Sequence, residues 1–298
     1  MATYNGEKYV REQLESIWSQ SVKPDEIIIS DDASTDNTIS VIEYFIKQTG
    51  APVTLIENSE NHGFIKNFHT ALSHANGDII FLSDQDDLWL PDRIAACKRI
   101  FDRQPEVLSL SCGLIVSDGT AIAADVKKKD RFSKVPLSRF LRYPHYPGMA
   151  MALRKELVKE MLACGNTDAV HDWLLNYLAA KKGGMYYLDT PLVIYRQHKG
   201  NTIGSLQAGS RKDAAAKRAS MLLGINRNLS SAGEDTSYVR ALAASNKKRA
   251  ELLDSDRPLP LLLHDLTHLS YVSLKSSAGD IFALQKVKTP SCRNQKAD

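Results

Sequence analysis

The hydrophobic positions of this chain switch between two periods over its first hundred residues. Between Glu7 and Gln20 the apolar side chains Val10, Leu14, Ile17 and Trp18 recur at helical spacing. Glu26–Ser30 reads EIIIS, a short apolar run ending in SDDASTD, which predicts a buried strand opening into a polar loop. Asp36 stands where it would cap a helix with the stripe Ile39, Ile42, Phe45 and Ile46. A strand over Pro52–Glu57, a helix over Gly63–Ala75, a turn at Asn76-Gly77 and a strand over Asp78–Ser83 follow. That strand ends in Asp84-Gln85-Asp86-Asp87, and Pro91 occupies the first turn of a helix running to Arg103.

Alternation of this kind predicts an α/β fold with a mostly parallel sheet flanked by helices. Ligands of such sheets gather beyond the C-terminal strand ends. Both acidic groups, Asp31-Asp32 and Asp84-Asp86-Asp87, fall at those ends. One sheet position is short. A helix starts almost directly after Thr3-Tyr4-Asn5-Gly6, so the strand before that loop holds at most three residues. The first strand therefore reads as truncated, with its place in the sheet poorly filled.

Leu108–Val116 is a further strand, and the basic stretch Lys127–Lys134 reads as a mobile loop. Ala150–Leu153 predicts a short strand and Lys155–Leu162 a helix. His171–Lys181 is helical, with Trp173, Leu174, Tyr177 and Leu178 on one side; Gly183-Gly184 ends it. Met185–Leu188 and Leu192–Tyr195 read as two strands. Beyond Ser205 strand patterns stop, and Ala214–Asn226, Tyr238–Leu253 and Leu259–Leu274 read as helices. The expected organisation is an α/β domain over 1–204 and a helical, basic extension over 205–298.

Composition narrows the class. Of 298 residues 43% are hydrophobic and 24% charged, which excludes a disordered chain. The apolar runs are too short to span a bilayer, and no secretory leader is recognisable. Cys97, Cys112, Cys164 and Cys292 form no CxxC pair, so a reduced, cytoplasmic chain is expected. The net charge of +3 divides into +6 over 205–298 and −3 over the rest. An acidic body with a basic tail suggests a metal-using site in the body and an anionic surface near the tail. Solvated basic helices are the alternative.

Three carboxylates in four residues repel one another unless a cation or solvent relieves them. Asp84, Asp86 and Asp87 therefore suit Mg²⁺ or Mn²⁺, which take one or two carboxylates plus phosphate oxygens. An acidic turn in which Asp87 caps the next helix is the other reading. Asp31 and Asp32 suit recognition of a ribose or base. Asp172 opens a helix, where it is either a favourable charge or a general base aimed at the same cleft. His198, in YRQHKGN, follows a strand and is either a third metal ligand or a structural histidine. GxxxxGK[ST], GxGxxG, GxSxG and HExxH are absent from the sequence.

Taken in order, TYNGEKY, SDDASTD, Asn61-His62-Gly63 with Lys66-Asn67, DIIFLSDQDDLW, and HDWLL followed by YRQH resemble family 2 glycosyltransferases. The likeness runs from residue 1 to about residue 205 and is greatest to the bacterial rhamnosyltransferase type. It implies a GT-A fold and an inverting, single-displacement transfer of a sugar from a nucleoside diphosphate. It implies Thr3 and Tyr4 against the base, Asp31 and Asp32 on the base or ribose, and Lys66 near the nucleotide. Asp84 and Asp86 become the DxD pair toward the donor and its Mn²⁺ or Mg²⁺, with Asp86 the direct ligand. Asp172 becomes the catalytic base, and Gly148-Met149 shape the acceptor pocket. The implied donor is a dTDP- or UDP-sugar, L-rhamnose being the first choice. The implied acceptor is a surface-polysaccharide or lipid-linked saccharide, met by a cytoplasmic enzyme with peripheral contact to the inner membrane face through its tail. No nucleic-acid partner is expected. The runner-up readings are a nucleotidyltransferase, whose Gly-rich N-terminal loop is missing here, and an inactive truncated glycosyltransferase that only binds.

Overall fold

The run of isoleucines after Glu26 is buried on both sides, as a strand covered by helices must be. β2 (Ile27–Asp31) lies between β1 (Ala2–Thr3) and β3 (Val53–Glu57) in a three-stranded, wholly parallel sheet. The computed structural model describes residues 1–117, 131–142, 146–165, 169–198, 211–233, 235–254 and 260–261. The first strand is short but paired: Ala2 and Thr3 lie against Ser30 and Asp31, and the Met1 amine donates to the Ile28 carbonyl at 2.7 Å. Its position is thus filled at the end where Thr3 enters the site.

α1 (Val10–Trp18) and α2 (Thr38–Thr49) join these strands, and α3 (Phe64–His74) leads from β3 to the second sheet. α1 buries Val10, Leu14 and Ile17, one face of the predicted stripe. Asn37, not Asp36, holds the N-cap position of α2; Asp36, one residue earlier, accepts from the Thr38 amide at 3.0 Å.

The second sheet differs from a parallel expectation. β4 (Ile79–Phe81), β5 (Leu88–Trp89), β6 (Ser109–Ser117), β8 (Met151–Arg154) and β9 (Met185–Arg196) run in the order β4-β8-β6-β9-β5. Only β6 and β9 pair in parallel; the other pairings are antiparallel. β7 (Phe132–Lys134) pairs with β9, so the end of the stretch expected as a mobile loop is a strand; Lys127–Asp130 lie outside the described residues. β9 is one strand, and the break expected at Asp189–Pro191 is a register shift against Gly113 of β6. A shift of register lets a proline sit in a continuous strand.

α4 (Arg93–Arg103), α5 (Leu137–Arg142), α6 (Lys155–Ala163) and α7 (His171–Lys181) cover this sheet. α7 is buried on every side from Trp173 to Ala180, not along one stripe. A helix apolar all round belongs inside a fold. One core joins both sheets, with Ile29, Ile42, Trp89, Ile94, Phe101 and Leu110 among its members.

Contacts divide the chain into two units, Met1–Ser205 with Arg227–Glu234, and Leu206–Asn226 with Asp235–Asp298. The helices of this region are α8 (Arg211–Ser231), longer than expected at both ends, and α9 (Ser237–Asp254). All of Leu259–Leu274 except Pro260 and Leu261 lies outside the described residues. Among the described residues, no helix is long and apolar enough to cross a membrane.

Candidate active site

The ends of β1 and β2 build one wall of a cleft. The Thr3 hydroxyl donates to Asp31 Oδ2 at 2.6 Å, and Ser34 donates to the same carboxylate through its amide at 2.8 Å and its hydroxyl at 2.7 Å. Asp32 accepts from the amides of His62 at 2.9 Å and Gly63 at 2.8 Å, where a negative charge meets the start of α3. Asp31 and Asp32 are 1% and 2% exposed. Their oxygens hold the loops Thr3–Ser34 and Asn61–Gly63, and almost no solvent reaches them. Asn67 adds a bond to the Thr3 carbonyl at 3.0 Å. Tyr4, by contrast, is 45% exposed.

The acidic loop after β4 forms the facing wall. The buried Gln13 amide donates to the Ser83 hydroxyl at 2.7 Å, which donates to the Asp84 carbonyl at 3.0 Å. Asp84, Asp86 and Asp87 each bring an oxygen to within 4.8 Å of the others. Burial pushes the Asp84 carboxyl up to about 7, with Asp86 and then Asp172 adding repulsion. Burial pushes Asp87 up to about 8, with Asp84 and Asp86 adding to it. Asp87 does not cap the next helix, which starts after Asp92; its Oδ1 accepts from the Arg196 amide at 3.2 Å. Its Oδ2 is buried without a hydrogen-bond partner among the described residues. A buried, unpaired carboxylate oxygen is costly unless a proton or cation meets it. Three hard oxygen donors with one such orphan fit a divalent cation of the Mg²⁺ or Mn²⁺ type.

Arg93 lies in the core beside this loop, fully buried, donating to the carbonyls of Leu82 at 3.4 Å and Met151 at 3.3 Å. Its guanidinium carbon stands 4.0 Å from the Trp89 ring centre. Its positive charge opposes the upward shifts of Asp84 and Asp87.

Gln85 joins the two walls. Its Oε1 accepts from the Tyr4 amide at 2.9 Å, and its Nε2 donates to the Tyr4 carbonyl at 3.0 Å. Gly6 leaves room for that amide: a Cβ there would lie 2.2 Å from Oε1.

Asp172 and His171 open α7. The Gly148 amide donates to Asp172 Oδ2 at 3.2 Å, from a 3₁₀ turn over Gly148–Ala150. A Cβ on Gly148 would meet His171 Nε2 at 3.1 Å, so glycine permits this approach. His171 is buried, stacks on Phe68 at 3.9 Å between ring centres, and is pushed down to about 3 by burial. It is a neutral imidazole at neutral pH. A Cβ on Gly148 would also lie 3.6 Å from Asp172 Cβ and 3.6 Å from Leu82 Cδ1, which brings the start of α7 beside the residues that lead into the acidic loop.

His198 Nε2 lies 2.8 Å from Asp86 Oδ2, and its ring stacks on Tyr9 at 4.6 Å. Arg196 pairs with Glu12 at 2.6 Å and stands over the same Tyr9 ring. Lys66 sits on the exposed face of α3 in a surface groove of about 380 Å³ that it lines with His62, His69, Thr70 and Ser73. The sequence signalled the aspartates here but not Glu12, Gln85, Tyr9, Arg93 or the part played by Gly6. Their only signal was position inside the TYNGEKY and SDQDDLW segments and the helix after them.

The α/β body thus carries an acidic loop after β4 and a further carboxylate on the first turn of α7. Residues 1–162 match Glycosyl transferase family 2, and the chain belongs to that family. It is 30% identical over 264 residues to the dTDP-rhamnosyl transferase RfbG of Shigella flexneri, covering 82% of this chain and 84% of that one. It is 36% identical over 107 residues to the abequosyltransferase RfbV of Salmonella typhimurium, covering 35% and 32% of the two chains. The fold is similar to that of S. aureus TarS in complex with UDP-GlcNAc, with a TM-score of 0.59, 18% identity and coverage of 96% and 89%. It is also similar to the mannosyltransferase PcManGT of Pyrobaculum calidifontis in complex with GDP-Man and Mn²⁺, with a TM-score of 0.53, 20% identity and coverage of 96% and 84%.

Proposed function

We propose that the chain transfers L-rhamnose, or a related sugar, from a dTDP- or UDP-linked donor to a saccharide acceptor, with inversion at the anomeric carbon. The observation that carries this reading is the meeting at Gly148 of Asp172 with the strand end that leads into the acidic loop: a Cβ there would lie 3.6 Å from both Asp172 Cβ and Leu82 Cδ1. The likeness to RfbG over most of both chains supports a dTDP-rhamnose donor.

Thr3 and Tyr4 would lie against the base, with Asp31 and Asp32 toward the base or ribose and Lys66 toward the nucleotide. Asp84 and Asp86, with His198 beside Asp86, would hold a divalent cation. When bound, that cation supplies Lewis-acid stabilisation of the departing diphosphate. Asp172 would take the proton of the acceptor hydroxyl as that oxygen attacks. The Gly148 amide fixes one of its oxygens, leaving the carboxylate oriented for that transfer. One carboxylate base suffices, because a single displacement forms no covalent sugar intermediate.

The acceptor is proposed to be a surface-polysaccharide or lipid-linked saccharide, approached by peripheral contact of the basic tail with an anionic membrane face. Leu222 and Ile225 of α8 are fully buried, so such contact would rest on charge more than on inserted apolar side chains. Flotation with anionic vesicles, abolished by salt, tests it; equal flotation with neutral vesicles would refute it.

The experiment for the main reading is donor hydrolysis across dTDP-rhamnose, UDP-glucose, UDP-galactose and GDP-mannose with Mn²⁺. Faster release of dTDP or UDP than of GDP supports it, and fastest release of dTDP selects the rhamnose donor. Release of no nucleoside diphosphate from any donor would leave a binding protein instead.

A further inference from the structure

We propose that Gln85 is a positioning residue that couples the nucleobase end of the donor site to its cation end, so that filling one tightens the other. The inference rests on the donor site proposed above, with Thr3–Tyr4 at the base and Asp84–Asp86 at the cation.

Gln85 stands between the two carboxylates of the DxD pair, and its side chain reaches the peptide of Tyr4 on the opposite wall. Both functions of the amide are used there, Oε1 accepting from the Tyr4 N–H at 2.9 Å and Nε2 donating to the Tyr4 C=O at 3.0 Å. A side chain held by one hydrogen bond can swivel about it. Two opposed bonds to one residue fix both distance and orientation, as a rung of a β-ladder does. The chain also carries no side chain where this amide docks: a Cβ on Gly6 would lie 2.2 Å from Gln85 Oε1 and 2.5 Å from its Cδ. The far side of the Tyr4 loop is tied down independently. Asn5, at φ +47°, donates from its amide to the Ser34 hydroxyl at 2.8 Å and accepts from the Thr35 amide at 2.8 Å.

The consequence is mechanical. Ligation of a cation by Asp84 and Asp86 fixes the backbone on both sides of Gln85. That fixes the amide, and the amide fixes the two peptide units that flank the Tyr4 Cα, from which the exposed ring projects. Coupling between two sites is reciprocal, so a base seated on Tyr4 must tighten the cation by the same factor.

The test uses nucleosides, which lack phosphates and cannot reach the cation through a diphosphate bridge. Thymidine and uridine affinities are measured calorimetrically on the full chain, with and without saturating Mn²⁺. Wild type is expected to bind a nucleoside about fivefold tighter or more with Mn²⁺, the low end of ordinary coupling. Gln85→Ala should still bind each ligand alone, with the ratio reduced to about one, the value for no coupling. Gly6→Ala, which displaces the amide without touching a carboxylate, should do the same and serves if Gln85→Ala fails to fold. A ratio unchanged from wild type in both variants would overturn the inference. A wild-type ratio of about one would also overturn it, the absence of linkage leaving the donor site itself intact. Failure of the wild type to bind any nucleoside or Mn²⁺ would instead remove the donor-site reading, and this inference with it.

Discussion

Replacing Asp172 by Asn separates chemistry from structure at the candidate base. The side chain keeps its size and an oxygen able to accept the Gly148 amide, now at 3.2 Å from Oδ2. One neutral hydrogen bond replaces one to a charged group, a change of about 1 kcal/mol in stability. The buried neighbours His171 and Trp173 keep their packing. Loss of the proton acceptor should reduce transfer by about 10²–10⁴-fold. At 1.36 kcal/mol per tenfold, this equals about 2.7–5.5 kcal/mol of lost transition-state stabilisation. A second effect has the opposite sense. Asp172 is one of the charges that raise Asp84, so the substitution lowers the Asp84 carboxyl from about 7 and leaves cation binding no weaker. The assay is steady-state transfer with the donor KM and the thermal midpoint measured on the same preparation. The expected result is a fallen kcat, an unchanged donor KM and a midpoint within a few degrees. Normal turnover with a raised donor KM would refute the reasoning and move Asp172 to donor binding.

Asp86→Ala should abolish transfer and leave the circular dichroism spectrum unchanged, since Asp86 lies in a loop outside the core; near wild-type turnover would remove the cation role. The pH response of stability follows from Asp84 and Asp87, both raised above the ordinary 3.8 to about 7 and about 8. The folded state holds more protons than the unfolded one between those values, so this contribution is present at low pH and is lost as pH rises toward 8. Mn²⁺ should therefore raise the thermal midpoint more at pH 8 than at pH 5.5, and equal shifts at both would contradict the assignment.

The centre of the first sheet was legible because β2 is buried along nearly its whole length and its helices along one face, although β3 beside it exposes Thr54 and Glu57. EIIIS and the stripe of α1 state their environments in their spacing. The second sheet was harder to read. β4 and β8 are three and four residues long, too short to carry an orientation, and nothing in DIIFLS shows that its partner runs antiparallel. Phe132–Lys134 carries two polar residues because it pairs only with β9. α7 misled by its length: four apolar residues on one side imply a surface helix, whereas Leu175, Asn176 and Ala179 on the other sides are equally buried. In the site, charges were visible and their commitments were not. Asp31 and Asp32 look alike in sequence to Asp84 and Asp86, yet the first pair accepts hydrogen bonds from neighbouring loops and the second is crowded, with Asp84 raised. Gln85 shows nothing until the fold brings Tyr4 to it.

The burial of α7 also orders the site in time. Backbone amides inside a helix enclosed on all sides exchange with solvent only when the whole body opens, whereas exposed loop amides exchange through local fluctuations. Asp172 rides on the first turn of that helix, and Tyr4 and Gln85 ride on loops. Deuterium should therefore enter the Tyr4–Gly6 and Asp84–Asp86 amides long before those of Leu174–Ala179. The proposed base thus stands on the fixed reference, and the loops proposed to bind the donor exchange around it.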